Sequence, residues 1–248
     1  MISAIIISRN EESVISDCIK SIKNLADEII VVDDSDDKTA KIAEDLGAKV
    51  TKNKLQDFSS QRNLGASLAK NEWIFYIDSD ERATPGFIAE VKEKIKNFDY
   101  KKNIAGFFVR RKTFFYGQDW GFEDRVQRIF YKPRLKGWKG SVHETPEVVG
   151  ELLEIESPIL HYTHRNLTRM VEKTNDWSEF EADLRFKSNH PNMSLWRFFR
   201  VMITAFLKSY FKEGGYKNGT LGIIEAIYQS FSMFITYAKL WEKQSGRK

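Results

Sequence analysis

The run Trp73-Ile-Phe-Tyr-Ile77 passes without a break into Asp78-Ser79-Asp80-Glu81. Five apolar or aromatic residues in succession predict a strand covered on both faces, as in a parallel sheet. The acids then stand at its carboxyl end, where open α/β sheets bind their ligands. Two carboxylates converging there suit a hard divalent cation held against phosphate oxygens. A solvated acidic turn is the competing explanation, and the motif alone leaves both open.

The same pattern recurs upstream. Ala4-Ile-Ile-Ile7 precedes the polar stretch Ser8-Arg9-Asn10-Glu11-Glu12, and an amphipathic helix is expected from there to about Asn24. Cys18 falls among Val14, Ile15, Ile19 and Ile22 at helical spacing and reads as a core residue. Ile29-Ile-Val-Val32 ends in Asp33-Asp34. Asp36 is expected to cap the next helix, whose apolar face is Ala40, Ala43 and Leu46 and which Gly47 closes. A short strand over 48–51 and a helix carrying Gln61-Arg62-Asn63 follow, with Leu64 and Leu68 facing inward; Thr84-Pro85 opens another helix. This alternation predicts a mostly parallel central sheet with flanking helices and right-handed crossovers.

Acids at two strand ends of one wound sheet should share a crevice. Neither G-x-G-x-x-G nor a Walker lysine motif follows the first strand, which weakens dinucleotide and P-loop readings. A phosphate ligand here needs a metal in place of those backbone amides. The net charge of +4 over 248 residues gives no reason to expect nucleic-acid binding. A single cysteine excludes an intrachain disulfide. The apolar opening is too short for a signal peptide, so the N-terminus is expected in the cytoplasm.

The order Ser8-Arg9-Asn10-Glu11, Val31-Val32-Asp33-Asp34-Ser35, Gln61-Arg62-Asn63 and Asp78-Ser79-Asp80-Glu81 resembles the family 2 glycosyltransferases. Asp124-Arg-Val-Gln-Arg128-Ile-Phe130, Val142-His143-Glu144 and the segment with Tyr210, Phe211, Gly214 and Gly215 look like the lipopolysaccharide-core subgroup of WaaE type. The resemblance implies the GT-A fold, a UDP-sugar donor and an inverting transfer to a glycan or glycolipid. It implies a catalytic domain over 1–165, with a nucleotide-binding half (1–100) and an acceptor half (101–165), and a helical region over 166–248. Ser8, Arg9, Asn10, Glu11, Asp33 or Asp34, Arg62, Asn63, Asp78 and Ser79 would meet the nucleotide sugar. Asp78 and Asp80, matching D-x-D, would place Mg²⁺ or Mn²⁺ on the diphosphate, with His143 completing the shell. Without the resemblance, Arg62 reads as a surface helix residue. Two rival readings are a nucleotidyltransferase and a non-catalytic sugar-nucleotide-binding scaffold.

Glycosyl transfer needs a base for the acceptor hydroxyl. Glu123, Asp124 and Glu144 are candidates; the resemblance puts Asp124 first and Glu144 second. Residues 116–124 read as a glycine- and aromatic-rich loop and 132–140 as a basic turn. Trp120 and Trp138 there either stack on a sugar or pack ordinarily. His161 and His164 lie where they would line the acceptor side. Residues 166–187, 194–211 and 221–241 read as helices. The last two mix aromatics with Lys and Arg, while Glu225 and Gln229 argue against a membrane span. They suit packing on the domain or peripheral contact with an anionic cytoplasmic leaflet.

Overall fold

The computed structural model of the chain describes residues 1–140, 144–163 and 166–246. In chain order it contains β1 (Ile2–Ser8), α1 (Ile15–Ile22), β2 (Glu28–Asp33), α2 (Thr39–Asp45), β3 (Lys49–Lys52), α3 (Phe58–Leu68), β4 (Trp73–Tyr76), β5 (Glu81–Ala83), α4 (Pro85–Lys96), β6 (Ile104–Phe115) and β7 (Gln118–Tyr131). There follow β8 (Leu135–Lys139), β9 (Thr145–Val148), β10 (Glu151–Thr163), α5 (Leu167–Lys187), α6 (Leu195–Leu207) and α7 (Gly219–Gln244). Two compact units form: Met1–Lys112 with Glu123–Tyr162, and Thr113–Phe122 with Thr163–Lys248.

An eight-stranded sheet runs β3-β2-β1-β4-β7-β6-β10-β5. β1 pairs in parallel with both β2 and β4, and β2 with β3. β4 then pairs antiparallel with β7, and β10 antiparallel with β5. The apolar runs are continuous because both faces are buried. Ala4, Ile6, Val31, Trp73 and Phe75 join the cluster under α1, which contributes Ile15, Cys18, Ile19 and Ile22. Ile5, Val32, Ile74 and Tyr76 point to the opposite cluster with Phe130 and Trp138. α3 lies so close to β1 that a Cβ on Gly65 would come 2.5 Å from Ile5 Cγ2. Thr84 accepts from the Phe87 N–H at 3.1 Å and caps α4, with Pro85 at the first helical position.

Some expectations are corrected. Asp37, not Asp36, ties down the start of α2, accepting from the Thr39 N–H at 2.9 Å. Leu68 is exposed, since α3 ends there and Ala69 turns into extended backbone. The expected loop over 116–124 is mostly strand. Only Tyr116 and Gly117 form a turn, both at positive φ (50° and 76°), the two-residue geometry that suits the twist of a hairpin. Cross-strand pairing there overrides the local glycine signal. The basic turn over 132–140 contains β8, which pairs with β9 in a separate two-stranded sheet.

In the second unit α5 and α6 both pack on α7. Tyr228 Oη donates to the Met170 carbonyl at 2.7 Å, and Ser230 Oγ to that of Met202 at 2.8 Å. Asn166 caps α5, accepting from the Arg169 N–H at 2.9 Å. Glu225 and Gln229, the polar interruptions of α7, hydrogen-bond each other at 2.7 Å, with Glu225 buried. Among the described residues no helix is long and apolar enough to cross a membrane.

Candidate active site

β1 lies between β2 and β4, so the acids that follow β2 and β4 flank the carboxyl end of β1. Their environments differ sharply. Asp33 is fully buried; Ser8 and Ser35 hydroxyls donate to it at 2.6 Å and Lys52 Nζ at 2.5 Å. Burial opposes its ionisation, but the Lys52 ammonium and the two hydroxyls outweigh that and hold its carboxyl below the usual range. Asp34 is partly exposed, with Arg9 Nε 3.9 Å away. Of the pair, Asp34 is therefore the side chain with room for a ligand, and Asp33 is the internal brace.

The polar loop after β1 is fastened to the segment after β2. The Asn10 N–H donates to Ser35 Oγ at 2.8 Å, and Asn10 Oδ1 accepts from the Asp36 N–H at 2.9 Å. Asn10 adopts φ 56°, a left-handed conformation that asparagine tolerates better than most residues. The Glu11 N–H donates to Thr39 Oγ1 at 2.8 Å.

Asp78 stands at the centre of an arginine-rich cluster. Arg128 closes its guanidinium on both Asp78 oxygens, with Nη1 3.2 Å from Oδ1 and Nη2 on Oδ2. The same Nη2 donates to buried Glu81 Oε1 at 2.8 Å. Arg62 Nη2 approaches Asp78 at 3.6 Å while its Nε donates to Glu144 at 2.9 Å. Its guanidinium also lies over Trp138, 4.7 Å from the ring centroid. Arg111 grips Asp124 through Nε at 2.9 Å and Nη2 at 2.6 Å, and reaches Glu81 at 3.3 Å. Burial would raise the Asp78 pKa, but Arg128, then Arg62 and Arg111, hold it well below the carboxylate range. Glu81 moves the other way: burial, with the charge of Asp78 beside it, lifts its pKa despite Arg128 and Arg111.

This network brings together four of the residues that the sequence reading proposed for the site, Arg62, Asp78, Asp124 and Glu144. It also contains three residues given no role there: Glu81, Arg111 and Arg128. The signal was present, because an arginine inside the apolar end of β7 and a glutamate directly after D-x-D are both costly to bury unpaired. Ser79 is buried, and its carbonyl accepts from Arg82 at 2.9 Å. The Asn63 side chain bonds to β8, accepting from the Trp138 N–H at 2.8 Å and donating to the Trp138 carbonyl at 3.0 Å. Trp120 and Trp138 are buried rather than offered to a sugar. Trp120 packs on Phe115, and Trp138 on Tyr76 and Phe130.

A sequence model of glycosyl transferase family 2 matches residues 3–148, more than half of the chain. The chain belongs to glycosyl transferase family 2. It is a glycosyltransferase, and its mixed α/β sheet with flanking helices is the architecture expected of one. An uncharacterized glycosyltransferase of Rickettsia typhi is 27% identical, over 97% of this chain and 87% of its own. The lipopolysaccharide core biosynthesis glycosyltransferase LpsC of Rhizobium meliloti is 26% identical, over 98% of this chain and 93% of its own. Among solved structures, S. aureus TarS in complex with UDP-GlcNAc matches over 99% of this chain and 92% of that one, at 12% identity and TM-score 0.49.

The donors of this family 2 enzyme can be tested against a divalent metal. Among the described residues no three His, Cys, Asp or Glu side chains group around one ion position. His143, one of the expected ligands, lies outside the described residues. Both Asp78 oxygens face Arg128. Asp80 is better placed: His161 Nε2 is 3.5 Å from its Oδ2, and the ring's Nδ1 is buried with no hydrogen-bond partner among the described residues. The carboxylate suits a hard divalent cation such as Mg²⁺ or Mn²⁺, whereas an imidazole is a more usual donor to softer ions. Asp80 and His161 are thus two donors standing together near the pairing of β5 and β10, with no third acid, cysteine or histidine grouped with them among the described residues.

Proposed function

We propose that the enzyme moves a hexosyl group, with inversion, from a UDP-sugar to a hydroxyl of a glycan or glycolipid. The product would enter lipopolysaccharide core or another cell-surface polysaccharide, with the chain on the cytoplasmic face of the inner membrane. The observation that carries this reading is the pair of acidic strand ends on either side of β1, joined to an arginine-lined carboxylate cluster. That arrangement offers carboxylates to a nucleoside and guanidinium groups to a diphosphate. The lipopolysaccharide-core relative supports the acceptor class.

Asp34 and Arg9 would take the base and ribose, and Arg62 the diphosphate side. Asp80, with His161 beside it and Asp78 as the other acid of D-x-D, would hold Mg²⁺ or Mn²⁺, which would supply Lewis-acid stabilisation of the leaving UDP. Asp124 would take the acceptor proton as that oxygen attacks the anomeric carbon. Its carboxylate is held in place by Arg111 yet remains partly exposed. Glu144, nearly buried against Arg62, is the second candidate for the base.

The test is a panel of UDP-sugars with Mn²⁺ and a truncated lipopolysaccharide-core acceptor, reading nucleotide release and the anomeric configuration of the product by NMR. UDP with an inverted linkage is expected. Pyrophosphate release, a retained anomer, or no transfer from any UDP-sugar would overturn the reading.

A further inference from the structure

The catalytic cluster leaves one large surface feature unused. α6 turns Trp196, Phe199, Ile203 and Leu207 to solvent at 70, 53, 52 and 46% exposure. These positions recur every three or four residues and so form one stripe along the helix. Phe211, in the π-helical turn that follows, is also exposed. α7 packs against α6, with Phe198 and Phe234 ring centroids 6.0 Å apart, and leaves Ile227 and Phe231 open as well. The opposite face of α6, with Val201 buried and Phe198 and Met202 partly so, accounts for its packing. The exposed stripe is therefore surplus to the fold.

Its charge says what covers it. Residues 194–219 hold five bases, Arg197, Arg200, Lys208, Lys212 and Lys217, and one acid, Glu213. That excess of four equals the net charge of the whole chain, so the remainder is neutral. Arg200 and Lys208 are exposed beside the stripe. A second copy docking there by two-fold symmetry would set one net-basic patch against another, which like-charge repulsion disfavours. Apolar and aromatic side chains edged by bases match an anionic lipid surface, with the rings among the acyl chains and the bases at the headgroups.

We infer that the exposed face of α6, continued by α7, is a docking surface for an anionic bilayer. The inference rests on the membrane-face reading above and adds the element that makes the contact. It also gives the enzyme a means of meeting a lipid-linked acceptor.

Co-sedimentation with phosphatidylcholine vesicles, with and without added phosphatidylglycerol, tests it. The chain should bind the anionic vesicles at least tenfold more tightly, and salt should weaken that binding. Phe199→Ser with Ile203→Ser, and separately Arg197→Glu with Arg200→Glu, should each lower binding about tenfold, with thermal midpoint and UDP-sugar turnover on a soluble acceptor unchanged. Absence of vesicle binding, equal binding by all variants, or a dimer in sedimentation equilibrium that the serine pair dissolves would overturn the inference. A chain that transfers sugar yet ignores vesicles refutes docking alone. One that binds vesicles as predicted but transfers nothing supports docking and refutes the catalytic reading.

Discussion

Arg128 and Asp78 form a two-pronged ion pair just past the end of β4, and Arg128 also serves buried Glu81 at 2.8 Å. One guanidinium thus bridges two carboxyl groups. Removing it leaves Asp78 only the looser ion pair with Arg62 at 3.6 Å and Glu81 only that with Arg111 at 3.3 Å. Arg128→Met should destabilise the protein by about 3–5 kcal/mol, the usual cost of an uncompensated buried charge. Adding Glu81→Gln should recover part of the loss. Urea denaturation of the single and double variants measures both values.

Asp80 and His161 are expected to govern metal dependence. Asp80→Ala and His161→Ala should each weaken Mn²⁺ binding tenfold or more while leaving the fold intact, since neither carries the core. Asp78→Ala should also abolish transfer. Calorimetric Mn²⁺ titration reads the first effect directly. Undiminished transfer in EDTA would remove the metal from the reaction.

Asp124→Asn should fold, bind the UDP-sugar and lose turnover by roughly 10²–10⁴-fold, the range for removing a general base. Glu144→Gln should lose less in kcat and more in donor affinity, because its partner is Arg62. Paired kcat and donor-Kd measurements separate them. The reverse pattern would make Glu144 the base.

Glu28 provides a pH test far from the chemistry. It accepts from Ser3 Oγ and the Lys70 N–H at 2.6 Å and from Lys49 at 2.8 Å. Burial opposes its charge, but these partners bring its pKa down from 4.5 to about 2. A lowered folded pKa gives stability that is present above pH 4.5 and drains away as pH falls towards 2. The stability gap between wild type and Glu28→Gln should therefore close over that window in acid titrations followed by circular dichroism.

Much of the nucleotide half was legible because its signals are local. Continuous apolar runs, Thr84-Pro85 and Gly47 each state their structure within a few residues. The surroundings of the tryptophans and of Asn63 were not legible for the opposite reason. Whether Trp138 faces a sugar or Tyr76, and whether Asn63 faces a nucleotide or β8, depends on which distant strand arrives beside it.

The sequence by itself determined the wound α/β order and the acidic ends of β2 and β4, because periodicity and strand-end position are properties of neighbouring residues. Only the tertiary structure decided the partners. Arg128 and Asp78 are fifty positions apart, and Arg62 and Glu144 eighty-two. Which arginine meets which carboxylate follows from strand order and register, and that choice gives Asp33 its buried brace, Asp78 its guanidinium and Asp80 its histidine.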